Sequence, residues 1–164
     1  MSAICSIHPA PAIIKRLGLG LLGALLLVAS PSALLAAEAE DAPGAEVKGV
    51  FVVVSSPDPQ TQMMAMVLSN QVLNQGKTVQ VLLCGPGGDL ALAEGEEVRF
   101  KPRDLSPQML LKRLMEHQVT VEVCAIYLPN SDHTEADLVE GVGVAKPPAI
   151  ATALLEPGVK LFTF

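Results

Sequence analysis

The side chains of this sequence with the clearest capacity for chemistry are two cysteines and an aspartate followed directly by a histidine. Cys84 and Cys124 each follow a run of apolar and β-branched residues, and Asp132 and His133 come shortly after Cys124. A cysteine thiolate is a nucleophile, and an accessible thiol with a lowered pKa accepts and transfers sulfur. A cationic His133 near Cys124 would favour the thiolate, and Asp132 could join it as an acid–base group. The pattern indicates thiol chemistry, but Cys124 inside its apolar run also fits an inert buried cysteine.

Cys84 is a candidate redox or sulfur-resolving partner for Cys124. In a parallel sheet with the strand order 2-1-3, the strands that precede the two cysteines flank the first strand, about 9–10 Å apart. A disulfide requires a Cα separation of about 4.4–6.8 Å. That order therefore disfavours an intramolecular disulfide and predicts that Cys84 is an ordinary buried cysteine.

No cofactor or metal site is predicted. The loop Gly85-Pro86-Gly87-Gly88-Asp89 does not have dinucleotide or P-loop spacing and fits a tight turn better than a phosphate site. Asp132 and His133 fit a solvated capping turn better than a metal site. The net charge of −6 over 164 residues argues against nucleic acid as a partner. With only five aromatic residues and no nucleotide fingerprint, a flavin enzyme is disfavoured.

The N-terminal 37 residues have the order of a secretory signal peptide. Lys15 and Arg16 precede the uncharged run LGLGLLGALLLV (17–28), and small residues follow as far as Ala37. Cleavage would send the chain to the periplasm, whereas an uncleaved segment would be a membrane anchor. Residues 38–46 are acidic and rich in Ala and predict a flexible linker, with the folded domain at 47–164. Without residues 1–37, nine Lys or Arg remain against 17 Asp or Glu, so the net charge is −8.

The mature sequence alternates predicted strands and helices. Short apolar runs bounded by turn residues favour strands buried on both faces, and Asp58 and Ser106 are suitable N-caps for the helices that follow them. The predicted strands are 50–54, 78–84, 119–128 and 159–163, and the predicted helices are 59–75, 107–117, a short one from Thr134 to about 140, and 147–155. This alternation predicts a three-layer α/β sandwich around a mainly parallel sheet, with functional groups at the carboxyl ends of the strands.

The segment VEVCAIYLPN, the capped turn after it and the C-terminal VKLFTF strand resemble the DsrE/DsrF/TusD family. The opening VVVSSPDP, the Met-rich helix and GKTVQVLL fit the same family, so the resemblance spans residues 49–164. It implies a flavodoxin-like or YchN-like α/β fold, a homo-oligomer (trimer or hexamer), and a persulfide on Cys124 that passes to a partner protein. The sulfur-relay members are cytoplasmic, whereas this chain has an export signal, so its sulfur donor or acceptor would be a different protein.

Three functions remain open at the level of sequence. The first is an exported DsrE-like sulfur carrier that uses Cys124. The second is a non-catalytic oligomeric binding module with the same fold, in which Cys124 is inert. The third is a thiol-dependent reductase, for which Cys84 would be the resolving thiol. Whether the chain is an enzyme is left undecided by these patterns.

Overall fold

The computed structural model describes residues 46–164, so the predicted signal peptide and nearly all of the predicted linker lie outside the described residues. Within this range, five strands and three helices follow one another, and they alternate except where the third and fourth strands are joined by short 3₁₀ turns without a helix. In chain order they are β1 (Gly49–Val54), α1 (Pro59–Asn74), β2 (Thr78–Leu83), α2 (Pro107–Glu116), β3 (Thr120–Val123), β4 (Gly143–Val144), α3 (Pro147–Leu154) and β5 (Val159–Thr163). Within 46–164, no helix is long and apolar enough to cross a membrane.

All five strands are parallel and lie in the order β4-β3-β2-β1-β5. The predicted parallel α/β class is confirmed, but the expected 2-1-3 placement of the first three strands is wrong, because β2 lies between β1 and β3. The chain steps in one direction from β1 to β4 and then crosses back to place β5 beside β1. Right-handed crossovers in opposite directions place their helices on opposite faces of a sheet. The single reversal therefore puts α3 on the face opposite α1 and α2.

The two faces of the sheet are covered unequally. Beneath α1 and α2, alternate residues of β1 such as Val52 and Val54 pack with Met66, Leu111 and Leu114, and all five are fully buried. On the other face, a smaller cluster of Phe51, Leu82 and Ala145 packs against the short helix α3. Burial on both faces explains why β1 is apolar throughout.

The helix starts follow the sequence closely. Asp58 caps α1 by accepting a hydrogen bond from the Thr61 amide, and Ser106 caps α2 by accepting one from the Met109 amide. Each cap is followed by a proline at the first helical position, where a missing N–H costs nothing.

The segment after β3 differs most from the predicted elements. The predicted third strand, 119–128, ends as a strand at Val123, and residues 125–127 turn away from the sheet. The predicted helix from Thr134 to about 140 is only the 3₁₀ turn Glu135–Asp137, although its predicted capping box is present. The two-residue strand β4 was not predicted, because a pair of residues is too short to show a period.

Candidate functional site

A disulfide between Cys84 and Cys124 joins the carboxyl ends of β2 and β3. The register of the two strands makes this possible, because Leu83 pairs with Val123 and the Cys124 amide donates to the Leu83 carbonyl over 2.8 Å. The two cysteines therefore leave neighbouring strands at the same level, with their Cα atoms 5.1 Å apart. This corrects the prediction that Cys84 is an ordinary buried cysteine too far away for a bond, since that distance came from the wrong strand order.

The disulfide lies on the α3 face of the sheet. Both cysteines are half-buried and pack against the small core cluster that contains Leu82 and Ala145. Cys124 also lines an open cleft of about 320 Å³, whereas Cys84 does not. The cleft is almost wholly apolar, and its walls include Ile126, Ile150 and Leu154. Of the two sulfur-bearing residues, Cys124 is thus the one that borders a space large enough for a reacting group.

The glycine-rich loop after Cys84 is shaped by the close approach of neighbouring groups to its backbone. A Cβ atom at Gly87 would lie 2.3 Å from the Val54 carbonyl oxygen, and one at Gly88 would lie 2.4 Å from a ring carbon of Tyr127. The residues 85–91 form a 3₁₀ turn in which both of these glycines are buried. The tight-turn interpretation of this loop therefore has a specific cause, which is the packing of β1 and Tyr127 against its backbone.

Tyr127 and Asp89 form a second connection between the loops that carry the two cysteines. The Tyr127 hydroxyl donates a 2.7 Å hydrogen bond to Asp89 Oδ1. Burial of the ring, with a smaller contribution from Asp89, raises the pKa of Tyr127, so the phenol stays protonated as a donor. Sequence reasoning missed this pair. The available signal was the single tyrosine of the chain, three residues after Cys124.

Asp132 and His133 lie on the turn that follows, and they do not complete a triad with Cys124. Within the described chain, neither side chain makes a hydrogen bond or ion pair to either cysteine. His133 instead lies near Asp137, whose carboxyl pKa is lowered mainly by hydrogen bonds from Thr134 and least by His133. No three potential metal ligands stand together in residues 46–164. The site is thus a cysteine pair beside an apolar cleft.

Comparison with solved structures identifies the fold. The crystal structure of the ychN protein from E. coli matches with a TM-score of 0.61 at 15% identity, covering 72% of this chain and 100% of that one. A protein of unknown function, MTH1491 from Methanobacterium thermoautotrophicum, matches with a TM-score of 0.54 at 16% identity, covering 73% and 100%. No protein-family model matches the sequence, and no curated protein matches it significantly. The chain has the DsrE/YchN-like fold that the sequence resemblance implied.

Proposed function

We propose that this chain is an exported, periplasmic protein of sulfur and thiol redox chemistry that carries sulfur as a persulfide on Cys124. The observation that supports this proposal best is the pairing of Cys84 and Cys124 across adjacent strand ends, with their Cα atoms 5.1 Å apart. The pair lies beside a cleft that Cys124 lines and Cys84 does not. Cys84 takes the role of the resolving thiol. The DsrE/YchN-like fold supports a sulfur-related role at the level of structural resemblance.

A closed disulfide would protect the cysteines of an exported sulfur carrier from oxidation. A bare thiol or persulfide outside the cytoplasm is exposed to oxidation, whereas a disulfide persists there. In the proposed resting state both sulfurs are protected. Loading then begins with opening of the bond by an incoming sulfur nucleophile.

The loading step balances without a further oxidant. Hydrosulfide entering the cleft attacks the Cys124 sulfur, a new S–S bond forms there, and the Cys84–Cys124 bond breaks with Cys84 leaving as the thiolate. The disulfide gains two electrons, and the sulfide sulfur is oxidised to the persulfide level. An acceptor thiolate that attacks the outer sulfur receives it and leaves Cys124 as a thiolate, which a persulfide donor can load again. In reverse, Cys84 attacks the Cys124 sulfur and expels hydrosulfide.

Mass spectrometry of the oxidised mature protein tests this step. After incubation with sodium sulfide and alkylation, the expected product carries one extra sulfur atom on Cys124 and a simple alkyl group on Cys84. The matched control is Cys84→Ser, which has no disulfide for sulfide to open but should still accept sulfur from a persulfide donor on Cys124. A bond that stays closed would favour the non-catalytic module, and extra sulfur on Cys84 would reverse the proposed roles.

The same cysteine pair supports a second candidate, the thiol-dependent reductase, because two cysteines that can form a disulfide at a cleft can, as a dithiol, exchange with a substrate disulfide. In that case the dithiol form of this chain reduces a substrate disulfide and becomes the closed disulfide itself. Two measurements discriminate between the candidates: the product of the sulfide reaction, and the reaction of the reduced protein with a model disulfide. Reduction of one model disulfide per reduced protein, without any persulfide on Cys124 in the sulfide reaction, would favour the reductase.

We also propose that the chain forms a homo-oligomer, a trimer or hexamer, through its α3 face. Leu155 is 81% exposed and Ile126 is 73% exposed, and Leu161 shares the α3 face because it pairs in register with Phe51. Large exposed apolar patches mark interaction sites. Light scattering after size-exclusion chromatography should show an assembly that Leu155→Glu dissociates. Met64→Glu, an exposed position on the opposite layer, is the control that should leave it intact.

A further inference from the structure

A second cavity, of about 270 Å³, lies between the glycine-rich loop and the N-terminal ends of α1 and α2. Its lining includes Pro86 and Asp89 from that loop, and neither cysteine belongs to it. We refer to this cavity as the acceptor pocket. Its volume is slightly below the usual range for small-molecule sites, so it fits a ligand of few atoms.

Part of the backbone around the acceptor pocket has no hydrogen-bond donor. Four of its lining residues are prolines, which have no N–H group (Pro57, Pro59, Pro86 and Pro107). The helix N-termini beside it are capped from within the chain, because Asp58 accepts from Thr61 N and Ser106 accepts from Met109 N. Fewer free N–H groups are therefore left at these helix N-termini to bind an anion.

Two nearly buried glutamines give the pocket acceptor groups. Gln62 and Gln108 are each 7% exposed and line the cavity. Each donates a hydrogen bond from its amide nitrogen to a backbone carbonyl, that of Ser56 for Gln62 and that of Leu92 for Gln108. This fixes the amide orientation and leaves the two Oε1 atoms without a protein donor among the described residues. No side-chain oxygen or nitrogen in this part of the chain is both enclosed and unpaired, so the two oxygens are accessible. Because both glutamines line the cavity, a ligand there can reach them.

Three carboxylates complete the lining, and no Lys, Arg or His side chain belongs to it. Asp89 uses one oxygen to accept from Tyr127. Glu97 accepts from the Ser106 hydroxyl and forms an ion pair with Arg99, which lies outside the lining. Glu96 has no hydrogen bond or ion pair within residues 46–164. The side chains of the pocket thus combine negative charge with uncharged acceptors, and none of them carries a positive charge.

From these contacts we infer that the acceptor pocket binds a small organic cation with several N–H donors, an ammonium or guanidinium compound. The glutamine oxygens and Asp89 would accept its hydrogen bonds, and Glu96 and Glu97 would balance its charge. This site is independent of the disulfide chemistry. A cation bound there would contact the loop that follows Cys84 without touching either sulfur.

Amide NMR shifts of the folded protein test the inference with putrescine and agmatine as probes. The expected result is saturable shifts at residues 88–92, 95–98 and 106–108, which weaken as salt is raised. Butane-1,4-diol, of matched length but uncharged, should cause none, and neither should glutarate. Glu96→Gln should weaken binding about five- to tenfold, the effect of losing one charge-assisted contact.

Two controls separate this site from general attraction to an acidic surface and from the proposed sulfur function. Glu94→Gln removes a charge from the same loop outside the lining and should leave the affinity unchanged. The double variant Cys84→Ser/Cys124→Ser should bind the probes as the parent does, even though it cannot carry sulfur. Shifts spread over all acidic residues, equal losses in Glu94→Gln and Glu96→Gln, or tighter binding of glutarate than of putrescine would each overturn the inference.

Discussion

The Tyr127 hydroxyl donates a 2.7 Å hydrogen bond to Asp89 Oδ1 and so ties the loop after β3 to the loop after β2. The Cys84–Cys124 disulfide joins the same two loops at their starts. The tyrosine contact involves neither sulfur. It therefore connects the two loops independently of the disulfide.

Tyr127→Phe should lower the free energy of unfolding by about 1–3 kcal/mol, since it removes a hydrogen bond to a charged group but keeps the ring. Urea denaturation of the oxidised protein measures this loss. Asp89→Asn keeps an acceptor for the hydroxyl and should lose less. Equal stability of Tyr127→Phe and the parent would show that the hydrogen bond adds nothing to the packing of the ring.

Gly88→Ala should be destabilising because its Cβ would lie 2.4 Å from the ring of Tyr127, which is itself 7% exposed and has little room to move. Overpacking of this kind costs about 1–3 kcal/mol. The control is Gly143→Ala, where the added Cβ would meet the Glu122 side chain at an ordinary 3.5 Å. Thermal unfolding of both variants gives the comparison, and a neutral Gly88→Ala would mean that the loop and ring can separate freely.

Cys84→Ser/Cys124→Ser should lower the free energy of unfolding by about 3–4 kcal/mol. The bond closes a loop with a sequence separation of 40, and a cross-link of that span restricts the unfolded chain by roughly this amount. Reduction of the parent with a strong dithiol should cause a loss of similar size, measured by the same urea titration. A double variant as stable as the oxidised parent would contradict the presence of the bond in the folded protein.

The sequence predicted the elements that follow local rules and missed the relationships that depend on strand order. The N-caps Asp58 and Ser106 were predicted because a cap, its proline and the apolar period all lie within a few residues. The pairing of Cys84 with Cys124 depends on whether β3 adds beside β2 or beyond β1, and no local pattern encodes that choice. Apolar residues alone predicted a strand as far as 128, but the chain turns after Cys124 so that Tyr127 can pack on Gly88.

The glutamines of the acceptor pocket are a second feature that local sequence patterns do not predict. Gln62 and Gln108 sit on helices, and their sequence positions give no sign that both are nearly buried. Their amide nitrogens are fixed by carbonyls at Ser56 and Leu92, one before its helix and the other on a distant loop. Only the packing of α1 and α2 side by side brings their oxygens to one cavity.

The capping box at Thr134 and Asp137 should respond to acid in a defined direction. Asp137 accepts hydrogen bonds from the amide and hydroxyl of Thr134 at 2.7 and 2.9 Å, and these contacts lower the pKa of its carboxyl group below the ordinary value of 3.8. A carboxyl group with a lowered folded-state pKa contributes stability that is fully present above the unfolded pKa and is lost as the pH falls through the folded pKa. The turn should therefore stay intact at pH 5 and open only below 3.8.

The amide proton shift of Thr134 reports this titration at the turn itself, apart from the other capping carboxylate, Asp58, whose pKa is also lowered. Its midpoint should lie below 3.8, and in Asp137→Asn the titration should disappear, because the amide side chain still accepts a hydrogen bond but does not ionise. Asp132→Asn, at a neighbouring carboxylate outside the capping box, should leave the curve unchanged. A midpoint at or above 3.8 would mean that the two hydrogen bonds do not favour the ionised carboxylate, and the capping box would then stabilise the turn through its geometry alone.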